Sequence, residues 1–266
     1  KAEGLTILEN VAREPHVVDL ANCLNMMGAD VHGAGTDVIK IRGVKQLHGC
    51  SYSIIPDQIE AGSYMVGAAI TGGDVTLHNV IPKHMEPITA KLRAAGCEVT
   101  EYDDAMRIVR HGAIHPVKIK TMPHPGFPTD MQSQMLACLC QARGDSTVTE
   151  HIFENRYKVV PELIRMGGNI TVDQRRAVIH GPCRMHGEKV EAKELRGGAA
   201  LVLAGLFFGI CLLPAIGSLI RMGFMSRFTF TEEKHAEICR LLAERRLSRE
   251  GEPGSEEHSV RPVRVN

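Results

Sequence analysis

The sequence has no surplus of charge of either sign, and this balance weighs against two classes of partner. Its 31 lysines and arginines equal its 31 aspartates and glutamates. Proteins that bind nucleic acid or an anionic membrane surface usually carry a basic excess, so neither partner is expected. No signal peptide opens the sequence, which favours a cytoplasmic location.

Close cysteine pairs are also missing. The eight cysteines stand at positions 23, 50, 97, 138, 140, 183, 211 and 239, with no CxxC pair among them. Structural zinc sites and disulfide frameworks are typically marked by regular cysteine spacings, so this pattern predicts buried, reduced thiols. Cys138 and Cys140 lie in an apolar helical segment, where packing explains them better than metal binding. No metal site is expected.

What the sequence does contain is a unit of about 70 residues that occurs three times. Each copy begins with a short alternating strand, passes through a polar turn into an amphipathic helix, and reaches a glycine at Gly28, Gly96 or Gly167. A glycine at that place indicates a left-handed helix C-cap. A hairpin-like pair of strands follows. One unit cannot cover both of its faces, so the copies are expected to pack side by side in an α/β fold.

Each copy continues into a second helix, and an acidic residue stands just before it. These residues are Asp57, Asp130 and Glu194. One interpretation is that they cap the helices and satisfy free backbone amides. The other is that they line a ligand site, because helix N-termini also bind anions and phosphorylated ligands. Three such termini around one cleft would suit a nucleotide sugar.

The repeat ends after Leu206. Residues 197–220 carry no charge and are long enough for a membrane-spanning helix, but Pro214 and several glycines interrupt them. The repeat explains their first part as the buried second helix of the third copy. No membrane partner is therefore expected, and a membrane-attached protein is the alternative. Residues 207–266 are predicted to be a divergent tail, partly disordered because its end is polar.

Five strings of residues resemble one family. They are AREPHVVDLANCLNMMGADVHGAGTD, IIPDQIEAGSYMVGAAI, HPGFPTDMQSQ, FENRYKVVPELIRMG and ELRGGAALVLAG. Together they resemble the UDP-N-acetylglucosamine 1-carboxyvinyltransferases, which are enolpyruvyl transferases. The most specific part is HPGFPTDMQ followed by FENR, and the resemblance covers about residues 1–206.

The resemblance implies an inside-out α/β barrel, built of βαβαββ repeats, with the active site between two domains. By similarity, residues 1–55 are the last part of the first enolpyruvyl transferase domain. Residues 56–206 are, in the same way, most of the second enolpyruvyl transferase domain.

The reaction that the resemblance implies is the transfer of enolpyruvyl from phosphoenolpyruvate to the 3-hydroxyl of UDP-N-acetylglucosamine. It proceeds by addition and elimination, releases phosphate and requires no cofactor. It is the first committed step of peptidoglycan synthesis, and thus serves cell wall biogenesis, cell shape and cell division. A non-catalytic sugar-nucleotide-binding paralogue and another enolpyruvyl transferase are the alternative functions.

The resemblance also assigns residues to the site. The family's base and sugar-binding carboxylate falls on Asp130, and Thr129 beside it matches a ligand-contacting position. Ile152 matches a contact to the uridine nucleotide, made through the backbone, with Phe153 adjacent. Asp57 resembles a second active-site carboxylate. A base of this kind is needed to take the proton from the attacking hydroxyl.

Three further residues, Glu14, Arg156 and Arg196, match polar positions that line the cleft in the family. The alternative for the two arginines is a structural role, in an ion pair with Glu154 or Glu194 within the domain. The alternative for Glu14 is a solvated acid in a turn.

The sequence departs from the family pattern at functional positions. None of the eight cysteines lies in the sequence of the family's reactive, mobile cysteine loop, which belongs to a region before Lys1. Gln58 stands where arginine is common, and Glu194 stands where aspartate is frequent. We therefore expect this chain alone to bind its substrates weakly and to show no detectable turnover.

Overall fold

Three copies of a β-α-β-β unit form most of the chain that the computed structural model describes, residues 1–206. The copies are connected by the second helices of the first two copies and by a short strand, and a final helical segment follows the third copy. In chain order the elements are β1 (Leu5–Glu9), α1 (Pro15–Met26), β2 (Asp30–His32), β3 (Val38–Arg42), α2 (Gln58–Thr71), β4 (Asp74–His78), α3 (Pro82–Ala94), β5 (Glu98–Glu101), β6 (Ala105–Val109), β7 (Lys118–Lys120), α4 (Gln132–Leu139), β8 (Gly144–Thr149), α5 (Val160–Arg165), β9 (Ile170–Asp173), β10 (Arg176–Gly181) and α6 (195–206).

The three copies have the same sheet topology. In each, the first strand pairs antiparallel with the last strand, which also pairs antiparallel with the middle one, giving the orders β1-β3-β2, β4-β6-β5 and β8-β10-β9. The third sheet gains β7, which lies parallel to β8. The prediction that the repeats share one fold is confirmed.

Glycine ends the first helix of every copy, as the repeat predicts. Gly28, Gly96 and Gly167 have φ angles of 90°, 94° and 97°, in the left-handed region where a side chain is strained. Space is also limited at Gly167, because a Cβ there would meet the carbonyl oxygen of Arg184. The turn before each of these helices contains an asparagine with a positive φ, a repeated feature that the sequence analysis did not identify: Asn10, Asn79 and Asn155.

The second helices form the centre of the core. Along α2, Met65, Val66 and Ala69 are completely buried, and every residue of α4 is buried. A close approach of α2 to its neighbours depends on Gly62, where a Cβ would lie 2.9 Å from Cδ1 of Ile88 on α3. The helices therefore lie inside, against the sheets formed by β4 to β10.

The first copy has its own small core. Its buried residues are Ala21, Val31 and Ile39, whereas the main cluster begins at Ile59. All five residues of β1 are exposed. A separate core before Ile59 is compatible with a boundary near residue 55, which stays a prediction.

The uncharged residues 197–220 left a membrane-spanning helix as an alternative. Within residues 1–206, no helix combines the length and the apolar character that crossing a bilayer requires. The later part of that segment and the predicted divergent tail, residues 207–266, lie outside the described residues.

Candidate active site

The three acids before the second helices differ in what their side chains do. Asp57 is the N-cap of α2, and its carboxylate accepts a hydrogen bond from the amide of Ile59 at 2.7 Å. This confirms the capping interpretation for Asp57. Asp130 lies in a 3-10 turn, 129–131, and its carboxylate contacts arginines instead. At Glu194, before α6, Oε1 is buried and has no hydrogen-bond partner within residues 1–206.

A cavity of about 570 Å³ brings Asp57 and Asp130 together. Its wall includes six of the eight residues that the resemblance assigns to the site: Glu14, Asp57, Thr129, Asp130, Phe153 and Arg196. Its other lining residues include His16, Asp19 and Gln58 from the same segments, and His84 from α3. The cavity therefore joins the start of α1 in the first copy to the starts of α2, α4 and α6.

Asp130 is held by two arginines, one at each carboxylate oxygen. Nη2 of Arg156 lies 2.5 Å from Oδ1, and Nη2 of Arg196 lies 3.1 Å from Oδ2. The alternative ion pairs with Glu154 and Glu194 are wrong for both arginines. The turn that carries Asp130 places its carboxylate between the two guanidinium groups, while Glu154 pairs with Arg175 at 3.2 Å.

Arg156 also approaches an aromatic ring. Its guanidinium carbon lies 5.5 Å from the centroid of the Phe153 ring, within the range of a cation–π interaction. Arg156 itself lies behind the cavity wall and reaches it through Asp130. The contact fixes the exposed ring of Phe153, which is 52% accessible, beside the acid.

The backbone amide of Ile152 does not face the cavity. It donates to Oε1 of Glu150 at 2.7 Å, and the amide of Phe153 donates to the same oxygen at 3.1 Å. A backbone contact from Ile152 to a ligand would therefore use its carbonyl oxygen.

Glu150 is the residue at this site that sequence reasoning missed. It is completely buried and accepts hydrogen bonds from the residues on both sides of the turn. One signal was available: the connection from β8 to α5 is longer than the equivalent connection from β4 to α3, and Glu150 begins it. An acid directly after an alternating strand is usually solvated, which is why the residue was overlooked.

Burial and neighbouring charges shift two pKa values near the cavity. The pKa of His84 is lowered by its partial burial and, to a smaller extent, by His124 and Lys83. Burial, followed by the nearby charge of Glu150, raises the pKa of Tyr157 to about 12. Oε2 of Glu14 is buried without a partner among residues 1–206. The described residues contain no group of three side chains suited to holding a metal ion.

The comparisons with known proteins agree on one family. The family described as EPSP synthase (3-phosphoshikimate 1-carboxyvinyltransferase) matches residues 1–210. UDP-N-acetylglucosamine 1-carboxyvinyltransferase 3 of Caldanaerobacter subterraneus subsp. tengcongensis is 58% identical over 77% of this chain and 49% of its own length. UDP-N-acetylglucosamine 1-carboxyvinyltransferase of Desulfofundulus thermocisternus is 60% identical over 71% of this chain and 78% of its own length.

Solved structures show the same fold. The enolpyruvyl transferase NikO from Streptomyces tendae aligns with a TM-score of 0.68 and 25% identity, over 78% of this chain and 50% of NikO. EPSP synthase from Acinetobacter baumannii aligns with a TM-score of 0.58 and 22% identity, over 78% of this chain and 51% of its own. The chain thus spans about half the length of these structures and of several sequence relatives, and the predicted α/β fold of the enolpyruvyl transferases is confirmed. The chain belongs to the enolpyruvyl transferase family, in the group of the UDP-N-acetylglucosamine 1-carboxyvinyltransferases.

Proposed function

We propose that the cavity is part of the sugar-nucleotide site of an enzyme that transfers the enolpyruvyl group of phosphoenolpyruvate to the 3-hydroxyl of UDP-N-acetylglucosamine. The chain alone is expected to bind these substrates weakly and to show no detectable turnover. The observation that carries the proposal is the convergence of Glu14, Asp57, Asp130 and Arg196 on one cavity from distant positions in the sequence. The names of relatives with 54–60% identity support this substrate pair. The step belongs to peptidoglycan synthesis.

Asp130 is proposed as the base and as the anchor of the sugar. Each carboxylate oxygen has two lone pairs, so Asp130 can accept from the sugar hydroxyl while it keeps its contacts to Arg156 and Arg196. The hydroxyl oxygen then attacks C2 of phosphoenolpyruvate and its proton passes to the carboxylate, while C3 takes a proton from a general acid and becomes the methyl carbon of the tetrahedral intermediate. Loss of phosphate from the tetrahedral intermediate, together with a proton from its methyl carbon, gives the enol ether.

Arg156 and Arg196 are proposed to orient this carboxylate, since two cations at opposite oxygens leave it little freedom to rotate. The planar guanidinium groups suit such a role because their donors lie in fixed directions. Arg196 also lines the cavity, where its charge can attract the anionic substrates. Arg156 acts from behind Asp130.

The turn after β8 is proposed to hold the uridine nucleotide. The carbonyl of Ile152 is the group that can accept from the base, and the exposed ring of Phe153 offers an apolar surface beside it. Thr129 lines the same wall. The carboxylates of Asp57 and Glu14 are proposed as further acceptors for sugar hydroxyl groups, because both residues face the cavity.

An isothermal calorimetric titration with UDP-N-acetylglucosamine tests the proposal on the chain as it stands. We expect saturable binding to the wild type and at least tenfold weaker binding to Asp130→Ala, since a hydrogen bond to a charged group contributes about 1.5–3 kcal/mol. Asp145→Asn is the matched control, because Asp145 lies on β8 and pairs with His180 on the surface. Equal binding by wild type and Asp130→Ala, or no binding by the wild type, contradicts the proposal.

A further inference from the structure

The carboxylate of Glu150 connects the two segments that carry most of the proposed ligand contacts. It is completely buried and lies directly after β8. Oε1 accepts from the amides of Ile152 and Phe153 at 2.7 and 3.1 Å. Oε2 accepts from the hydroxyl of Thr129 at 2.8 Å and from the side-chain amide of Gln132 at 3.1 Å.

The two oxygens thus serve two different parts of the site. Oε1 fixes the turn that contains Ile152, and Oε2 fixes the turn that contains Asp130 and the start of α4. A fifth donor, the hydroxyl of Thr121, reaches Oε1 at 2.8 Å. That hydroxyl oxygen in turn accepts from the amide of His151 at 2.9 Å, which holds the loop at a third point.

Burying a carboxylate is unfavourable unless donors replace its water. Here all five partners are donors, so the carboxylate is fully satisfied. A fold that needed only stability at this point could use apolar side chains, because replacing a buried charge network with well-packed apolar groups is often neutral or stabilising. A rigid hydrogen-bonded centre instead fixes geometry, which is what a binding site requires.

We propose that Glu150 is a positioning residue for the sugar nucleotide: it holds the Asp130 turn and the Ile152–Phe153 turn at the separation that one ligand needs to contact both. The proposal rests on the proposed function. Glu150 itself contacts no substrate, because its carboxylate is inaccessible and occupied by protein donors.

The test compares Glu150→Gln with Asp145→Asn. Both replace a carboxylate with an amide, at Asp145 near the start of β8 and at Glu150 directly after its end. Only at Glu150 do protein donors occupy both carboxylate oxygens, so the NH₂ group of the new amide must face a donor. In the ligand-free chain, we expect Glu150→Gln to shift the nuclear magnetic resonance signals of the amides of Ile152, Phe153 and Asp130 together. Asp145→Asn is expected to leave those three signals in place.

Binding gives the second readout. In metal sites, replacing a residue that hydrogen-bonds to a metal ligand typically lowers the affinity for the metal by about 10–100-fold. By analogy, we expect Glu150→Gln to lower the affinity for UDP-N-acetylglucosamine by about tenfold, the lower end of that range. Uridine diphosphate, which lacks the N-acetylglucosamine, should lose less affinity, because it does not bridge the two turns. If Glu150→Gln binds both ligands within twofold of the wild type, or loses affinity for both equally, the positioning role is wrong.

Thr121→Val keeps the proposal testable if Glu150→Gln does not fold. It removes one of the five donors to the carboxylate and leaves the charge and the other four donors, so a smaller loss of affinity is expected, about threefold, at the low end of what one hydrogen bond contributes. An unchanged affinity contradicts the proposal. If the wild type binds no UDP-N-acetylglucosamine, the proposed function fails and the ligand assignment with it, while the ligand-free signals still decide whether Glu150 couples the two turns.

Discussion

Arg196 donates to Oδ2 of Asp130 at 3.1 Å from a position 66 residues later in the chain. The contact joins the start of α6 to the turn before α4, so two copies of the repeat share one ion pair at the cavity. Both side chains are partly exposed, at 29% for Arg196 and 38% for Asp130. The pair is therefore accessible to a ligand and moderately screened by water.

The strength of this pair can be measured with a double-mutant cycle of Asp130→Asn and Arg196→Gln. We expect a coupling free energy of about 1 kcal/mol, since the pair is partly exposed and Asp130 keeps its contact to Arg156. Urea unfolding of the wild type, both single variants and the double variant supplies the four free energies. Additive single effects, within about 0.3 kcal/mol, would show that the two residues do not interact.

Gly167→Ala is expected to lower the free energy of unfolding by more than Gly4→Ala. Both glycines have a positive φ, 97° and 84°, so each substitution costs about 1–2 kcal/mol of backbone strain. A Cβ at Gly4 meets no atom within 4 Å, whereas a Cβ at Gly167 meets the carbonyl of Arg184. Urea unfolding of both variants measures the difference. Equal destabilisation would contradict the close approach at Gly167.

The repeat, the helix-ending glycines and the family could be predicted because each depends on local sequence. Gly28 predicts a left-handed cap wherever its unit packs. A string such as HPGFPTDMQ indicates the family from the order of its residues alone. The ion-pair partners of Arg156 could not be predicted in this way. Glu154 is nearer in sequence, but Asp130 is nearer in space, and that distance depends on how the turn before α4 packs against the loop after β8.

The burial of Glu150 is a second feature that could not be predicted from local sequence. Its position after a strand predicts a solvated acid, whereas the fold buries it completely. Its donors include Thr121, which lies beside it where β7 pairs with β8, and Thr129, which lies in the turn before α4. Burial of a charge is decided by tertiary packing, so the long connection after β8 draws attention to Glu150 but does not predict that its carboxylate is buried.

The lowered pKa of His84 makes stability depend on pH. Because the folded pKa lies below the ordinary value near 6.5, folding favours the neutral ring. Above about pH 6.5 the His84 ring is neutral in both the folded and the unfolded state, so the free energy of unfolding does not change with pH. As the pH falls from there towards the folded pKa, the unfolded state binds the proton first, so the free energy of unfolding falls. We expect His84→Gln to lose less stability than the wild type between pH 7.5 and 5.5, measured by urea unfolding. Parallel pH profiles would contradict this.

Cys183 is expected to be the first described cysteine to react with iodoacetamide at pH 7. The thiol of Cys140, aided by the amide of Asn169, lowers the pKa of Cys183 below its ordinary value, whereas burial raises the pKa of Cys138 to about 12. The thiolate is the reactive form, and Cys183 is partly accessible. Peptide mass spectrometry after short labelling gives the order. Labelling of Cys138 before Cys183 would contradict it.

Asp57 and Asp130 line one cavity, and we propose that this cavity binds a nucleotide sugar. A titration of ¹⁵N-labelled protein with UDP-N-acetylglucosamine, followed by heteronuclear magnetic resonance, tests it most directly. We expect the amide signals of Ile59, Asp130 and Ile152 to shift along one saturation curve with a single dissociation constant, and we expect Asp130→Ala to move that curve to at least tenfold higher ligand concentration. Shifts confined to one of these segments, or an unchanged spectrum at saturating ligand, would contradict the claim.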